Sequence, residues 1–209
     1  MKIVSIIALN DERTEQVVTL AKKVLRAGAD NVYVIIHEKK NVYKAIKNLK
    51  NVFSHHVKTN ASFAEQINQS INAAISIGQH KISSCKKLSV FVAGLDYSPE
   101  VIAAIINGDE QSNVWTVPVI SDGKVQNRTF VSTRHDRIVL REQLGALNKL
   151  PQVTGGVSIA CFGMSQRALY QLRVKFESDL DPNEHLTETL IENKVGPIHI
   201  ISNCFVSVS

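Results

Sequence analysis

Cysteine is scarce in this chain of 209 residues, and the three cysteines stand far apart at Cys85, Cys161 and Cys204. No two of them form a CxxC pair, so we do not expect a structural zinc site built on thiolates. A sparse and odd cysteine count is typical of a reducing compartment rather than of a disulfide-stabilised secreted domain. We therefore predict a cytoplasmic protein, bacterial or made by a virus in its host, whose thiols are small buried apolar side chains.

Long hydrophobic runs are also missing. No charge-free apolar stretch reaches the ~20 residues that a membrane-spanning helix requires. The apolar run Ile3–Leu9 is followed by polar residues and has no small-residue cleavage site, which favours a strand over a signal peptide. The sequence therefore predicts a soluble chain without a membrane span.

Acidic residues are outnumbered by basic ones. The chain has 24 Lys and Arg against 19 Asp and Glu, a net charge of +5, and 44% of its residues are hydrophobic. The hydrophobic content and the length indicate one ordinary globular domain spanning residues 1–209. The surplus of positive charge favours an anionic partner, such as a phosphate compound or a nucleic acid, without selecting one.

The first half of the chain alternates short apolar runs with segments of helical periodicity. This rhythm predicts parallel strands joined by helical crossovers. Ser98 and Pro99 are typical of a helix N-terminus. We predict strands at Ile3–Leu9, Asn31–Ile36, Asn51–Val57 and Leu88–Leu95, and the longest helix at Ser62–Ile77, ended by Gly78.

The second half is less regular and includes an antiparallel hairpin formed by Val114–Ile120 and Val125–Ser132. Together the two halves predict an α/β fold with a mostly parallel sheet and helices on both faces. The other expected elements are a helix at Ile138–Leu147, a strand at Val157–Phe162, a helix from Ser165, a helix from Asp181 to Lys194, and a last strand at Ile198–Val208.

Polar side chains follow several of the predicted strands. Asn10 and Glu12 come after the first strand, His37 ends the second, and Asp96 ends the fourth. In open α/β sheets, ligands bind beyond the carboxyl ends of the strands. Each residue by itself also suits a helix cap or a solvated turn, so the hypothesis of a binding site depends on their shared edge.

Two common phosphate-binding motifs are absent. The chain has no GxxxxGK[ST] sequence and no GxGxxG after the first strand, so no glycine-rich loop is available to wrap a pyrophosphate. A diphosphate at this edge therefore needs a metal ion or basic side chains. Because Mg²⁺ requires only one or two protein carboxylates, Asp96 is a candidate ligand.

Several short segments, in order and spacing, resemble the GT-A glycosyltransferases of the family-2-like type, over most of the chain. The resemblance implies a GT-A-like, Rossmann-like fold in which residues 1–110 bind a nucleotide-sugar and residues 111–209 bind the acceptor. The segments are Ile6–Glu12, Asn60 with Glu65–Asn68, Phe91–Asp96 with Pro99, Gly155-Gly156 leading to Phe162–Leu169, and Phe176-Glu177 with Glu184–Leu186.

The resemblance also implies an activity and a set of site residues. The chain would transfer a sugar from a nucleoside-diphosphate-sugar to an acceptor hydroxyl with the help of Mn²⁺ or Mg²⁺. Expected donor-binding residues are Asn10, Glu12, His37, Asn68 and Asp96, expected acceptor-binding residues are Gly155 and Gly156, expected metal ligands are Asp96 and His199, and expected catalytic residues are Glu184 and His185.

Three positions depart from the family pattern. The Asp-x-Asp metal motif reads Asp96-Tyr97-Ser98, with one carboxylate, and the second strand ends in histidine where the family often has aspartate. The acidic position before the late helix reads Glu184-His185, so the general base is either the carboxylate or the imidazole. A helix N-terminus makes a carboxylate less basic, whereas histidine has a pKa near ~6.5 without tuning.

The acceptor is left open by the sequence. Basic stretches at Lys81, Lys86 and Lys87 and at Arg134, Arg137 and Arg141 suit a polyanion such as DNA with hydroxylated bases. A surface glycan or a small molecule remains an alternative.

Two other functions remain open. A sugar-nucleotide nucleotidyltransferase has a similar architecture but needs a glycine-rich, arginine-containing loop after the first strand, which this chain lacks. A catalytically silent binding module would explain the incomplete Asp-x-Asp motif.

Overall fold

The computed structural model of the chain describes residues 1–8, 14–37, 40–57, 62–108, 112–121, 124–132, 138–143, 157–172, 181–195, 198–201 and 203–208. Within these residues the chain forms eleven strands. They are β1 (Lys2–Ala8), β2 (Asn31–His37), β3 (Val52–Val57), β4 (Lys87–Val92), β5 (Val114–Thr116), β6 (Val119–Ser121), β7 (Lys124–Ser132), β8 (Ile138–Gln143), β9 (Cys161–Ser165), β10 (Ile198–Ile200) and β11 (Val206–Val208).

A seven-stranded sheet with the order β10-β5-β9-β4-β1-β2-β3 forms the centre of the fold. All of its strands run parallel except β9, which lies antiparallel between β4 and β5. β1, β2 and β4 are nearly continuous runs of buried residues, as parallel strands covered on both faces require. The predicted α/β class with a mostly parallel sheet is confirmed.

Helices cover both faces of this sheet and bury two apolar cores. On one face, side chains of the first, second and fourth helices pack in one core, and on the other face those of the third, fifth and sixth helices pack in the other. In the part of the chain that the structure describes, no helix is long and apolar enough to span a membrane. The helices are α1 (Thr14–Arg26), α2 (Lys40–Ile46), α3 (Phe63–His80), α4 (Pro99–Asn107), α5 (Gln166–Gln171) and α6 (Pro182–Glu192).

A second sheet has the order β11-β6-β7-β8. β6 and β7 pair antiparallel, which confirms the hairpin. The predicted strand Val114–Ile120, however, is interrupted at Val117-Pro118, so that β5 belongs to the first sheet and β6 to the second. Pro118 has no N–H group for a strand ladder, while its carbonyl accepts a hydrogen bond from the N–H of Val206 at 2.9 Å.

Two predicted elements in the second half are wrong. The helix expected at Ile138–Leu147 is instead the strand β8 over its described part, where it pairs with β7 from Ser132↔Ile138 to Asn127↔Gln143. The nine-residue β7 offers a partner for the β-branched start of this segment, and such pairing overrides a local helical pattern. The last strand, expected at Ile198–Val208, is split into β10 and β11, which lie in different sheets.

Three boundaries also differ from the expected ones. The strand expected at Leu88–Leu95 ends at Val92, four residues before Asp96. The strand expected at Val157–Phe162 lies later, as β9. The helix α3 passes through Gly78 instead of ending there. α5 packs closely over this position, since a Cβ at Gly78 would lie 3.1 Å from Leu169 Cδ1. This glycine therefore serves close packing and not helix termination.

All three cysteines are buried and free, as the sequence predicts. Burial raises the pKa of Cys85 to about 11 and also raises the pKa values of Cys161 and Cys204 above the usual range.

We expect the thiols to be nearly inert in the native protein, because the thiolate is the reactive form and is scarce at neutral pH. Labelling with a maleimide at pH 7 should be negligible in the native protein and should reach three groups per chain in urea. Fast native labelling would contradict this description of the cores.

Candidate functional site

The order of strands reverses between β1 and β4, which makes their carboxyl ends the topological switch point of the sheet. Beyond β1 the chain continues sideways to β2 and β3, whereas β4 lies on the other side of β1. Ligands of open α/β sheets bind in the crevice at such a point. Asp96 lies there, in the segment 93–98 that joins β4 to α4.

Asp96 presents its carboxylate to solvent, with a side chain that is 98% exposed. Lys23 of α1 approaches it, at 3.9 Å from the Lys23 Nζ to the Asp96 Oδ1, and the same ammonium group donates to the Tyr97 carbonyl at 3.4 Å. The backbone of Asp96 forms an antiparallel bridge with Ser207. Because an exposed ion pair is weak, the carboxylate remains available to a ligand.

The two residues after Asp96 have structural roles in the loop. Tyr97 is buried, packs edge-on against Phe91 and donates from its hydroxyl to the Val92 carbonyl at 2.8 Å. Burial raises the pKa of Tyr97 well above its usual value, which keeps the hydroxyl protonated. Ser98 is the N-cap of α4 and accepts from the N–H of Val101 at 3.3 Å. Both side chains therefore hold the loop in place, while Asp96 presents its carboxylate to solvent.

A pocket of about 350 Å³ lies between α1 and the loop after β4. Glu15, Thr19 and Lys23 form its α1 wall at intervals of four residues, so they share one stripe of the helix. The sequence analysis missed Glu15 and Lys23, although their spacing was a signal for a polar stripe. The lining residues are Glu15, Gln16, Thr19, Leu20, Lys23, Gly94, Leu95, Asp96 and Tyr97.

The described residues contain no group of three or more His, Cys, Asp or Glu side chains that could hold a metal ion by itself. The pocket does contain two carboxylates, on Glu15 and Asp96. One or two carboxylates suffice for Mg²⁺ when phosphate oxygens and water complete its shell. The residues present would thus suit a cation that takes most of its ligands from phosphate oxygens and water, and not one held by protein alone.

His199 is not brought to Asp96. It lies in the middle of β10, opposite Trp115 of β5, and β5 and β9 separate it from β4. His199 therefore lies on a strand three positions away in the sheet from the strand that leads to Asp96.

His37 and Asn68 both lie inside the protein. His37, at the end of β2, is 2% exposed, and its Nε2 is 2.7 Å from the Ser70 Oγ of α3. Ser70 donates its own proton to the carbonyl of Gln66 at 2.8 Å, so its oxygen accepts from the imidazole. Asn68 of α3 is fully buried. The contact between His37 and Ser70 joins α3 to the sheet, and neither His37 nor Asn68 faces solvent.

The first turns of α6 are tied to the carboxyl edge of β4. Asn183 Oδ1 accepts from the N–H of Ile159, and Thr187 Oγ1 accepts from the N–H of Val157, both at 3.0 Å. The carbonyl of Ala160, in the same segment, accepts from the N–H of Val92 at 3.0 Å. Glu184 and His185 belong to this part of α6, and the His185 side chain is 9% exposed.

The basic stretch expected on the acceptor side lies elsewhere. Lys87 begins β4, so it is at the amino edge of the sheet, opposite Asp96, and its ammonium lies 5.7 Å from the ring centre of Trp115. Lys81 and Lys86 precede it. Asn10, Glu12, Gly155, Gly156, Arg134 and Arg137 lie outside the described residues, as does the side chain of Arg141.

No model of a known protein family matches the chain, and no curated protein matches its sequence. Solved structures do resemble it in fold. Rv0371c from Mycobacterium tuberculosis H37Rv is 11% identical, with a TM-score of 0.52 and coverage of 100% of this chain and 90% of that one. The manganese complex of Rv0371c gives 10% identity, a TM-score of 0.51 and the same coverages.

A nucleotidyl transferase from Methanothermobacter thermautotroptrophicus, Mth528, is 13% identical, with a TM-score of 0.48 and coverage of 100% of this chain and 88% of that one. Identities this low carry information about architecture and not about activity. The chain therefore shares the α/β fold of Rv0371c.

Proposed function

We propose that this protein is a glycosyltransferase that moves a sugar from a nucleoside-diphosphate-sugar to an acceptor hydroxyl. The observation that carries the proposal is the exposed Asp96 carboxylate at the switch point of the sheet, in a pocket that also holds the Lys23 ammonium. Because the chain has no glycine-rich loop, a diphosphate would bind through the Lys23 ammonium and through a cation held by the Asp96 carboxylate.

Asp96 would hold the divalent cation, which when bound would neutralise the negative charge that develops on the departing diphosphate. Lys23 adds a positive charge on the α1 side of the same pocket. Rv0371c, which shares the fold, has been crystallised as a manganese complex, and manganese is therefore the first cation to test.

The acceptor proton needs a base on the other side of the cleft. We place Glu184 in this role with His185 as its alternative, because both belong to the early part of α6 that is bonded to the carboxyl edge of β4. Asn10 and Glu12 would contact the donor, and Gly155 and Gly156 the acceptor. His37 and Asn68 would act on the donor side indirectly, by fixing β2 and α3.

The test is a thermal-shift panel of nucleoside-diphosphate-sugars, each with and without Mn²⁺. A ligand that binds only the folded protein at ~100 times its Kd adds ~2.7 kcal/mol of stability. For a chain of this size we expect the matching donor to raise the Tm by roughly 5–10 °C, with a smaller shift when EDTA replaces the metal.

The matching donor is then incubated with the protein, and release of nucleoside diphosphate is measured. Slow hydrolysis supports a transferase with a working site, whereas binding without release indicates a binding module. Release of pyrophosphate from a nucleoside triphosphate and a sugar phosphate would replace the proposal with nucleotidyl transfer. No shift with any donor would contradict all three functions.

A further inference from the structure

Most of the net positive charge of the chain is concentrated in one short segment. Residues 40–57 contain Lys40, Lys44, Lys47 and Lys50 and no Asp or Glu, which leaves 20 basic against 19 acidic residues in the rest of the chain. Four of the five net charges therefore belong to 18 consecutive residues, all of which the structure describes.

The fold displays three of these lysines on one surface. α2 buries Val42 and Ile46 in the core and leaves Lys44 exposed, and Lys47 and Lys50 are exposed in the turn that follows. Among the described residues, no carboxylate lies within 4.0 Å of these three ammonium groups. The lysines are therefore open to an external anion.

Aromatic rings lie beside the lysines. Tyr43 of α2 is 46% exposed, and its ring centre is 6.0 Å from that of His56 in β3. β3 is the outermost strand of the central sheet, so nothing in that sheet covers its far side. Burial and the neighbouring His56 lower the pKa of His55, so the His55 imidazole adds no positive charge beside the lysines at neutral pH.

We propose that this α2–β3 surface, formed by Tyr43, Lys44, Lys47, Lys50 and His56, binds single-stranded nucleic acid. Lysines that neutralise phosphates and exposed rings on which bases stack are the two components of such sites. A membrane surface fits less well, because a helix lying on lipid turns its apolar face outward, whereas the apolar face of α2 packs in the core.

This surface is separate from the proposed transfer site. In the sheet, β1 and β2 lie between β3 and β4, whose end carries Asp96. Binding of nucleic acid here therefore does not depend on the activity proposed above.

The test is the fluorescence anisotropy of a labelled 12-nucleotide single-stranded oligonucleotide at several salt concentrations. With three lysines on phosphates, the slope of log K against log salt should be about −2. The triple variant Lys44→Gln, Lys47→Gln and Lys50→Gln should bind at least tenfold more weakly, with a slope near zero. Tyr43→Ala should bind about tenfold more weakly with the slope unchanged.

The matched control removes three exposed cations far from this surface, as Lys81→Gln, Lys86→Gln and Arg167→Gln. Two of them belong to the basic stretch that the sequence pattern alone suggested for a polyanion, so this control also tests that alternative. It should bind like the parent chain. Circular dichroism melting verifies that all variants are folded. The proposal is overturned if the control loses as much affinity as the α2 variant, if Tyr43→Ala has no effect, or if duplex DNA binds more tightly. Binding to vesicles of anionic lipid without binding to the oligonucleotide would overturn it in favour of a membrane surface.

Discussion

Replacing Asp96 with asparagine is expected to lower kcat by 100-fold or more and to leave the fold intact. The substitution keeps the size of the side chain but removes the negative charge that would hold the cation beside the diphosphate, and the loss of one such electrostatic contact costs about 10²–10³ in rate. The Tm should stay close to that of the parent chain, because the carboxylate is exposed and its pairing with Lys23 is a weak surface contact. The measurement is donor turnover at saturating manganese, together with thermal melting.

Glu100→Gln is the matched control. Glu100 lies four residues away, in the first turn of α4, carries the same charge and is fully exposed, but it does not line the pocket. This variant should retain turnover near that of the parent. If Asp96→Asn keeps normal activity with metal present, the assignment of Asp96 is wrong. If both variants lose turnover, the loss comes from removing negative charge in general and not from a specific role of Asp96.

The second large effect is expected at Gly163, which lies against the ring of Trp115. A Cβ at Gly163 would come closer than 3.0 Å to ring atoms of this tryptophan, a distance that real Cβ atoms essentially never show. Trp115 is fully buried, and its Nε1 donates to the Ile105 carbonyl of α4 at 2.7 Å. Because the ring has no space into which it can retreat, Gly163→Ala should lower the free energy of unfolding by about 3 kcal/mol.

Urea denaturation measures this loss, and Gly78→Ala provides the comparison. There the new Cβ meets the end of the Leu169 side chain at 3.1 Å, which can shift slightly, and alanine in a helix gains about 0.5–1 kcal/mol over glycine. The two effects oppose each other, so we expect the free energy of unfolding of Gly78→Ala to stay close to that of the parent chain. Equal destabilisation in the two variants would show that Trp115 does not restrict Gly163 in particular.

Gly163→Ala tests the fold and not the candidate site. Trp115 donates to Ile105 near the C-terminal end of α4, whereas Asp96 precedes the N-terminus of that helix. We therefore expect the activity of Gly163→Ala to follow its folded fraction.

Elements whose cause is local were predictable from the sequence. Ser62, Ser98 and Ser165 each accept a hydrogen bond from a backbone N–H three residues later and begin a helix where the sequence analysis expected one. The β-branched runs of β1 and β2 likewise form strands where they were expected, since a strand covered on both faces needs an unbroken apolar segment.

Elements that depend on a distant partner were not predictable from the sequence. Ile138–Gln143 is a strand because β7 lies beside it, and Ile198–Val208 is divided because its two ends pair with β5 and β6. A pattern of apolar residues carries no information about which strand will be adjacent, so a helix and a strand of similar composition were not distinguished.

The candidate site likewise has features that could be predicted from the sequence and features that only the fold produces. Three properties of the linear chain suggest an anion held at a strand end. They are the position of Asp96 after an apolar run, the missing glycine-rich loop and the surplus of basic residues. Only the folded arrangement shows that Lys23 and Glu15 line the pocket, that His37 turns inward to Ser70, and that His199 lies three strands away from β4. Helix packing and sheet order decide which distant residues meet, because side chains interact over a few ångströms in space and not along the sequence.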